Sequence, residues 1–188
     1  NYDNFSRELS NYRNYLEFER RYSSHTVLAY MKDLQQFFAF LSTVQETASI
    51  KEIKFIHVRS WVVSLAEDEV SNRSINRKIS SLRSFFKFLR KSDSSILNPT
   101  DKIFALKIPK RLPPMVKEEE LKKVYDVIFD GEETYQKWRD FAIIELLYNT
   151  GIRRAELIQL TLDDFSPSQN QIRVLGKGRK ERIIPLNS

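Results

Sequence analysis

Ile75, Ile79, Leu82, Phe86 and Leu89 follow one another at intervals of 4, 3, 4 and 3 residues. That spacing puts all five on one face of an α-helix, and no strand alignment does so. The residues before it repeat the pattern. Phe5, Leu9, Tyr12, Leu16 and Phe18 predict a first helix, and Val27, Tyr30, Leu34, Phe37, Phe38 and Leu41 a second. A third is predicted from Phe55 to Leu65, and the breaks fall at Ser23-Ser24, from Thr43 to Ala48 and from Glu67 to Asn72. The first half of the chain therefore reads as a four-helix unit.

The texture changes between Ser92 and Pro114, where Asn98-Pro99, Pro109 and Pro113-Pro114 alternate with Lys102, Lys107, Lys110 and Arg111. Prolines remove backbone donors and push the residues before them out of helix, so this stretch predicts an extended linker. A first domain over 1–107, a linker to about 114 and a second domain over 115–188 follow from it. In the second domain Lys117-Glu118-Glu119-Glu120 opens a helix that runs to Phe129. Trp138, Phe141, Ile144, Leu147 and Tyr148 mark a second, and Asn149-Thr150-Gly151 ends it before a shorter one through Leu160. Two strand-like runs, Ile172 to Leu175 and Arg182 to Leu186, flank Gly176-Lys177-Gly178-Arg179-Lys180 and predict a β-hairpin with a basic turn.

Composition narrows the chemistry. A formal charge of +6 favours a polyanionic partner. There are no cysteines and only two histidines, His25 and His57, so thiolate or histidine-rich metal sites and disulfide frameworks are not expected. No apolar run approaches a membrane span, and nothing reads as a secretory signal. The expectation is a cytoplasmic protein with no membrane partner, no metal and no cofactor.

Three groups of residues could carry function. Arg73, Arg77, Lys78, Arg83, Lys87, Arg90 and Lys91 lie in a stretch with no acidic residue from Ser71 through Ser92. This fits a helix that neutralises DNA phosphates, and it also fits the solvated face of a bundle helix. At the start of the second helix, Thr26 and Lys32 are modest phosphate candidates beside the Ser23-Ser24-His25 cap. In the second domain a glycine corner delivers Arg153, with Glu156 one turn on. The guanidinium fork matches two phosphate oxygens, although a surface Arg–Glu pair at this spacing is common. Lys177, at the hairpin turn, reads either as part of a charged, soluble tip or as a lysine delivered to a phosphate.

Taken in order, these stretches resemble the tyrosine recombinase (phage integrase) family, most closely its Xer-type members. The resemblance lies in His25 through Leu34 with Phe37 through Leu41, in Ser74 through Leu89, in Arg139 through Leu157, and in Gly176 through Leu186. It implies a mainly α fold: an N-terminal four-helix SAM-like DNA-binding domain, then a truncated α+β catalytic domain with a β-hairpin. Arg153 would be the first catalytic arginine, Glu156 its supporting carboxylate and Lys177 the hairpin lysine, with Lys180 and Arg182 as neighbours of lesser weight. Arg73, Arg77, Lys78, Arg83, Lys87, Thr26, Lys32 and Lys180 would face double-stranded DNA. The implied activity is site-specific recombination through a 3'-phosphotyrosine, without metal, by a homo-tetramer on paired sites. The nucleophilic tyrosine and second arginine box are expected beyond residue 188, so this chain is expected to bind DNA and not to cut it. A non-enzymatic DNA-binding regulator or excision factor is the alternative.

Overall fold

The computed structural model describes residues 5–44, 49–110, 115–176 and 180–186, and the chain divides into two compact units, Asn1–Arg111 and Leu112–Ser188. Each unit is described by itself.

The first unit is helical. Its elements are α1 (Ser6–Asn14), α2 (Ser24–Val44), α3 (Phe55–Glu67) and α4 (Asn72–Ser92), with a 3-10 turn at Ile50–Glu52. The five residues of the 4-3-4-3 stripe on α4 are all buried, as is Phe85 beside them. They meet α1 and α2 in a core dominated by aromatic rings. Phe85 contacts Tyr12, Phe38 and Phe86 edge-on, with centroids 5.2, 5.9 and 5.5 Å away. Edge-to-face pairs at these separations add to the burial of large apolar area. Ser71 Oγ accepts from the Ser74 backbone N–H at the start of α4, and Arg90 and Lys91 occupy its last turn, where the helix dipole favours cations.

One expectation needs correction here. Phe18 was assigned to the apolar stripe of the first helix, but its side chain is 73% exposed. The chain widens into a π-helical turn over Tyr15–Glu19, and Leu16 is the residue that continues the stripe inward. The stretch after α4, read as an extended linker, is fastened along α4 as far as Lys107. Ile96, Asn98, Pro99 and Thr100 are buried. Arg83 donates to the Ile103 carbonyl at 2.8 Å and the Thr100 carbonyl at 3.4 Å. The Asn76 amide donates to the Leu106 carbonyl and accepts from the Leu106 N–H, and Asn72 donates to the Lys107 carbonyl. A segment too rich in proline and polar residues for helix thus satisfies its backbone groups with side chains of the neighbouring helix.

The second unit contains α5 (Glu118–Ile128), α6 (Tyr135–Thr150) and α7 (Arg154–Gln159), followed by β1 (Phe165–Ser166), β2 (Gln171–Leu175) and β3 (Glu181–Pro185). The strands form an antiparallel sheet in the order β1-β2-β3. The predicted hairpin is β2–β3, with Val174 opposite Arg182 and Leu175 opposite Glu181. The two-residue β1 was too short to leave a periodic signal. Ile152, Ile172 and Val174 are buried together beneath α7 and the sheet, with Leu157 and Ile184 against them. On the helical side, Phe129, Trp138 and Phe141 form a ring cluster between α5 and α6. Among the described residues no helix is long and apolar enough to cross a membrane.

Candidate phosphate site and nucleic-acid interface

Arg153 sits where one helix stops and the next begins. Gly151 closes α6 with φ of 61°, the left-handed conformation that glycine adopts at little cost, and its N–H bonds the Leu147 carbonyl at 3.1 Å. Ile152 is buried and pins the corner, and Arg153 then starts α7 in an extended conformation. No atom lies within 4 Å of where a Cβ on Gly151 would stand, so Gly151→Ala meets a backbone penalty alone. It is expected to lower stability by about 1 kcal/mol, measured as a shift in the urea midpoint of the second unit.

Glu156, one turn into α7, joins this corner to the hairpin. Its carboxylate is 5% exposed. It accepts from the Arg153 backbone N–H at 2.7 Å and from Arg153 Nη1 at 2.9 Å. Arg182, on β3, grips the same carboxylate in a two-point fork, Nη1 to Oε1 at 2.8 Å and Nη2 to Oε2 at 2.9 Å. Gly176 N–H donates to the Lys180 carbonyl at 2.8 Å, closing the base of the turn. A Cβ at Gly176 would stand 3.3 Å from Arg182 Nη1 and 3.5 Å from Glu156 Oε1, so the hairpin base lies directly against the ion pair. The guanidinium of Arg153 stays largely in the open, with its side chain 69% exposed. One arginine is therefore spent on structure and the other remains presented to solvent.

The fork of Arg182, the Arg153 N–H and the Arg153 side chain hold the Glu156 carboxyl down at about 2. The unfolded chain takes up this proton near the ordinary value of 4.5, before the folded chain does. The stability Glu156 contributes is therefore complete above about pH 4.5 and is lost progressively as pH falls toward 2. Glu156→Gln is expected to lower the melting temperature of the second unit at pH 7 and to flatten its decline between pH 5 and about 3. Thermal melts at stepped pH measure both.

Lys177 lies outside the described residues, which include Lys180 as an exposed residue at the hairpin base. The Tyr125 hydroxyl is bound to Glu145, and burial together with that carboxylate pushes it up to about 12.

In the first unit the expected basic face of α4 separates into two classes. Arg73 and Lys87 are exposed, as is Lys32 on α2. Thr26 is half-buried at the start of α2, with its hydroxyl 2.8 Å from Ser23 Oγ. Lys78 is a correction. It is buried, its ammonium donates to Asp33 at 3.2 Å and to the Gln36 carbonyl, and it faces the core side of the α2–α4 contact. Arg83 is half-buried and uses Nη2 to bind the carbonyls of the segment that follows α4. Arg77 shares Asp33 with Lys78 yet keeps 45% of its side chain exposed. The reading of α4 as one-signed counted charges within the helix; the fold brings Asp33 to it from α2. Its signal was present in the sequence: Asp33 falls between Tyr30 and Phe37 at helical spacing, inside an apolar stripe, and a buried carboxylate needs partners. Arg182 was undervalued for a similar reason, since register alone sets it opposite Val174 and over Glu156.

Residues 9–93 match the phage integrase N-terminal SAM-like domain, and residues 114–188 match the phage integrase family, in that order along the chain. The chain belongs to the tyrosine recombinase (phage integrase) family. Among its relatives in this family, the tyrosine recombinase XerC of Staphylococcus haemolyticus is 36% identical over 172 residues, covering 92% of this chain and 57% of the relative. A tyrosine recombinase of Pseudothermotoga lettingae is 35% identical over 185 residues, 97% of this chain and 62% of the relative. The chain thus spans about three-fifths of the length of the curated relatives it matches. A lambda integrase tetramer bound to a Holliday junction shares the fold with a TM-score of 0.74 at 19% identity, over 97% of this chain and 52% of that one. The integrase fold thus extends over both units, mainly helical with a small antiparallel sheet.

Proposed function

We propose that this chain is the DNA-gripping domain and the first part of the catalytic domain of a site-specific DNA recombinase. In the full-length protein a tyrosine hydroxyl attacks a DNA phosphorus, the bond to the 5'-oxygen breaks, and a 3'-phosphotyrosine forms. The freed 5'-hydroxyl of the partner strand later reverses the step. Arg153 holds the non-bridging oxygens of the phosphate as charge builds on them, and Lys177 gives its proton to the departing 5'-oxygen. No metal takes part. Residues 1–107 bind duplex DNA and 115–188 begin the catalytic domain, with homo-tetramers assembling on paired sites.

The observation that carries this reading is the double grip on Glu156. An exposed arginine at a corner is common, and so is a basic hairpin turn; a buried carboxylate that binds both the corner and the hairpin base gives the pair a reason to exist. A DNA-binding regulator or excision factor would use the helical unit and gives no role to this link. The 188-residue chain alone is expected to bind duplex DNA and leave it uncut.

The binding half is tested by fluorescence anisotropy on labelled duplex across a salt series. The logarithm of affinity is expected to fall linearly with the logarithm of salt, with each phosphate contact contributing a slope of about −0.9. Affinity that does not respond to salt contradicts the reading.

A further inference from the structure

The α2–α4 contact holds a charged group that the apolar packing around it does not require. Asp33 is 1% exposed, amid Leu34, Phe37 and Phe38. Its Oδ2 accepts from Arg77 and from Ser81 Oγ at 2.8 Å, and its Oδ1 accepts from Lys78 at 3.2 Å. Lys78 is anchored again by Gln36. One carboxylate thus serves two cations, and the group keeps a net positive charge. The two cations are not equivalent: Lys78 is buried, whereas Arg77 reaches the surface with 45% of its side chain exposed. A guanidinium carries five N–H donors in a rigid plane, and binding one terminal nitrogen leaves others for a second oxyanion.

We propose that Asp33 is a positioning residue for DNA binding: from inside the α2–α4 contact it fixes the Arg77 guanidinium as a preset donor for a backbone phosphate, and Lys78 binds its other oxygen from the core side. This rests on the reading of α4 as a DNA-facing helix. A free surface arginine loses its rotamer freedom when it meets a phosphate. One already clamped does not, a difference of about two- to tenfold in affinity. The proposal also gives Lys78 its place. A lone buried carboxylate beside a single half-exposed arginine would be poorly compensated, and the second cation, with Ser81 and Gln36, completes the set.

Simple charge counting predicts the opposite sign, because removing a carboxylate near DNA should strengthen binding. The variant Asp33→Asn/Lys78→Met separates the two. It removes one negative and one positive charge together, strands no buried ion and leaves Arg77 in place. Duplex affinity is expected to fall about tenfold, with the salt slope reduced by about one, as for Arg77→Ala. Adding Arg77→Ala to the double variant should change little further. Loss of folded protein lowers the fraction that binds but not the slope, and thermal melts monitor it independently. Ser81→Ala keeps every charge and removes one bond to Asp33, so it serves if the double variant folds poorly; about a two- to threefold loss of affinity is expected. Wild-type affinity in both Asp33→Asn/Lys78→Met and Ser81→Ala, with Arg77→Ala impaired, overturns the positioning role alone. Wild-type affinity and slope in Arg77→Ala overturns the DNA-facing reading of this part of α4 and the proposal with it.

Discussion

Replacing Arg153 with alanine in the full-length recombinase is expected to slow strand cleavage by about 10²- to 10³-fold, the usual cost of losing one preset donor to a charged transition state. Arg153 is the residue at the corner whose charge is free to act: Glu156 is neutralised in part by the Arg182 fork, and Arg153 adds a single side-chain bond while remaining 69% exposed. Duplex affinity should fall by about tenfold or less, the size of a single phosphate contact, so that most of the loss lies in the chemical step. Arg153→Lys discriminates the cause. A lysine restores the charge but not the planar fork, so cleavage should recover only in part. Single-turnover cleavage of a nicked substrate measures this. Full activity in Arg153→Lys would reduce the role of Arg153 to charge.

The second large effect is on stability. Phe85→Ala is expected to destabilise the first unit by about 3–5 kcal/mol, a large share of the 5–15 kcal/mol that holds a domain together. Phe85 is fully buried and touches the rings of Tyr12, Phe38 and Phe86, which come from α1, α2 and α4, so no one helix can shift to fill the space it leaves. Phe104→Ala is the control. The same residue type, 86% exposed, should change stability by about 0.5 kcal/mol or less. Urea unfolding followed by far-ultraviolet circular dichroism measures both.

These two cases also mark how far the sequence could be read. The α4 stripe was legible because helical periodicity is a local property: five apolar residues at 4-3-4-3 spacing specify a face without any partner. The Gly151 corner and the β2–β3 hairpin were legible for the same reason, since glycine and alternation act over a few residues. Phe18 was misplaced against its own spacing: two residues past Leu16 is about 200° around an α-helix, on the far side from the stripe. The segment after α4 reads as a linker from its prolines, but the bonds from Asn72, Asn76 and Arg83 that fasten it depend on which helix lies beside it. Lys78 and Arg77 are adjacent in sequence and identical in charge. Only the arrival of Asp33 from α2, 45 residues upstream of Lys78, turns one inward and leaves the other at the surface. Arg153 and Arg182 differ in the same way. Both are arginines in basic contexts, and the carboxylate they share decides which one remains available.

The most direct test of the account uses a suicide duplex, nicked so that a cleaved strand diffuses away and leaves the protein covalently attached to DNA. The full-length recombinase should form an adduct that survives denaturing gel electrophoresis and contains phosphotyrosine, and its Arg153→Ala variant should form it far more slowly. The 188-residue chain should bind the same duplex, with the salt dependence described above, and form no adduct. An adduct with the 188-residue chain, or none with the full-length protein, would contradict the account.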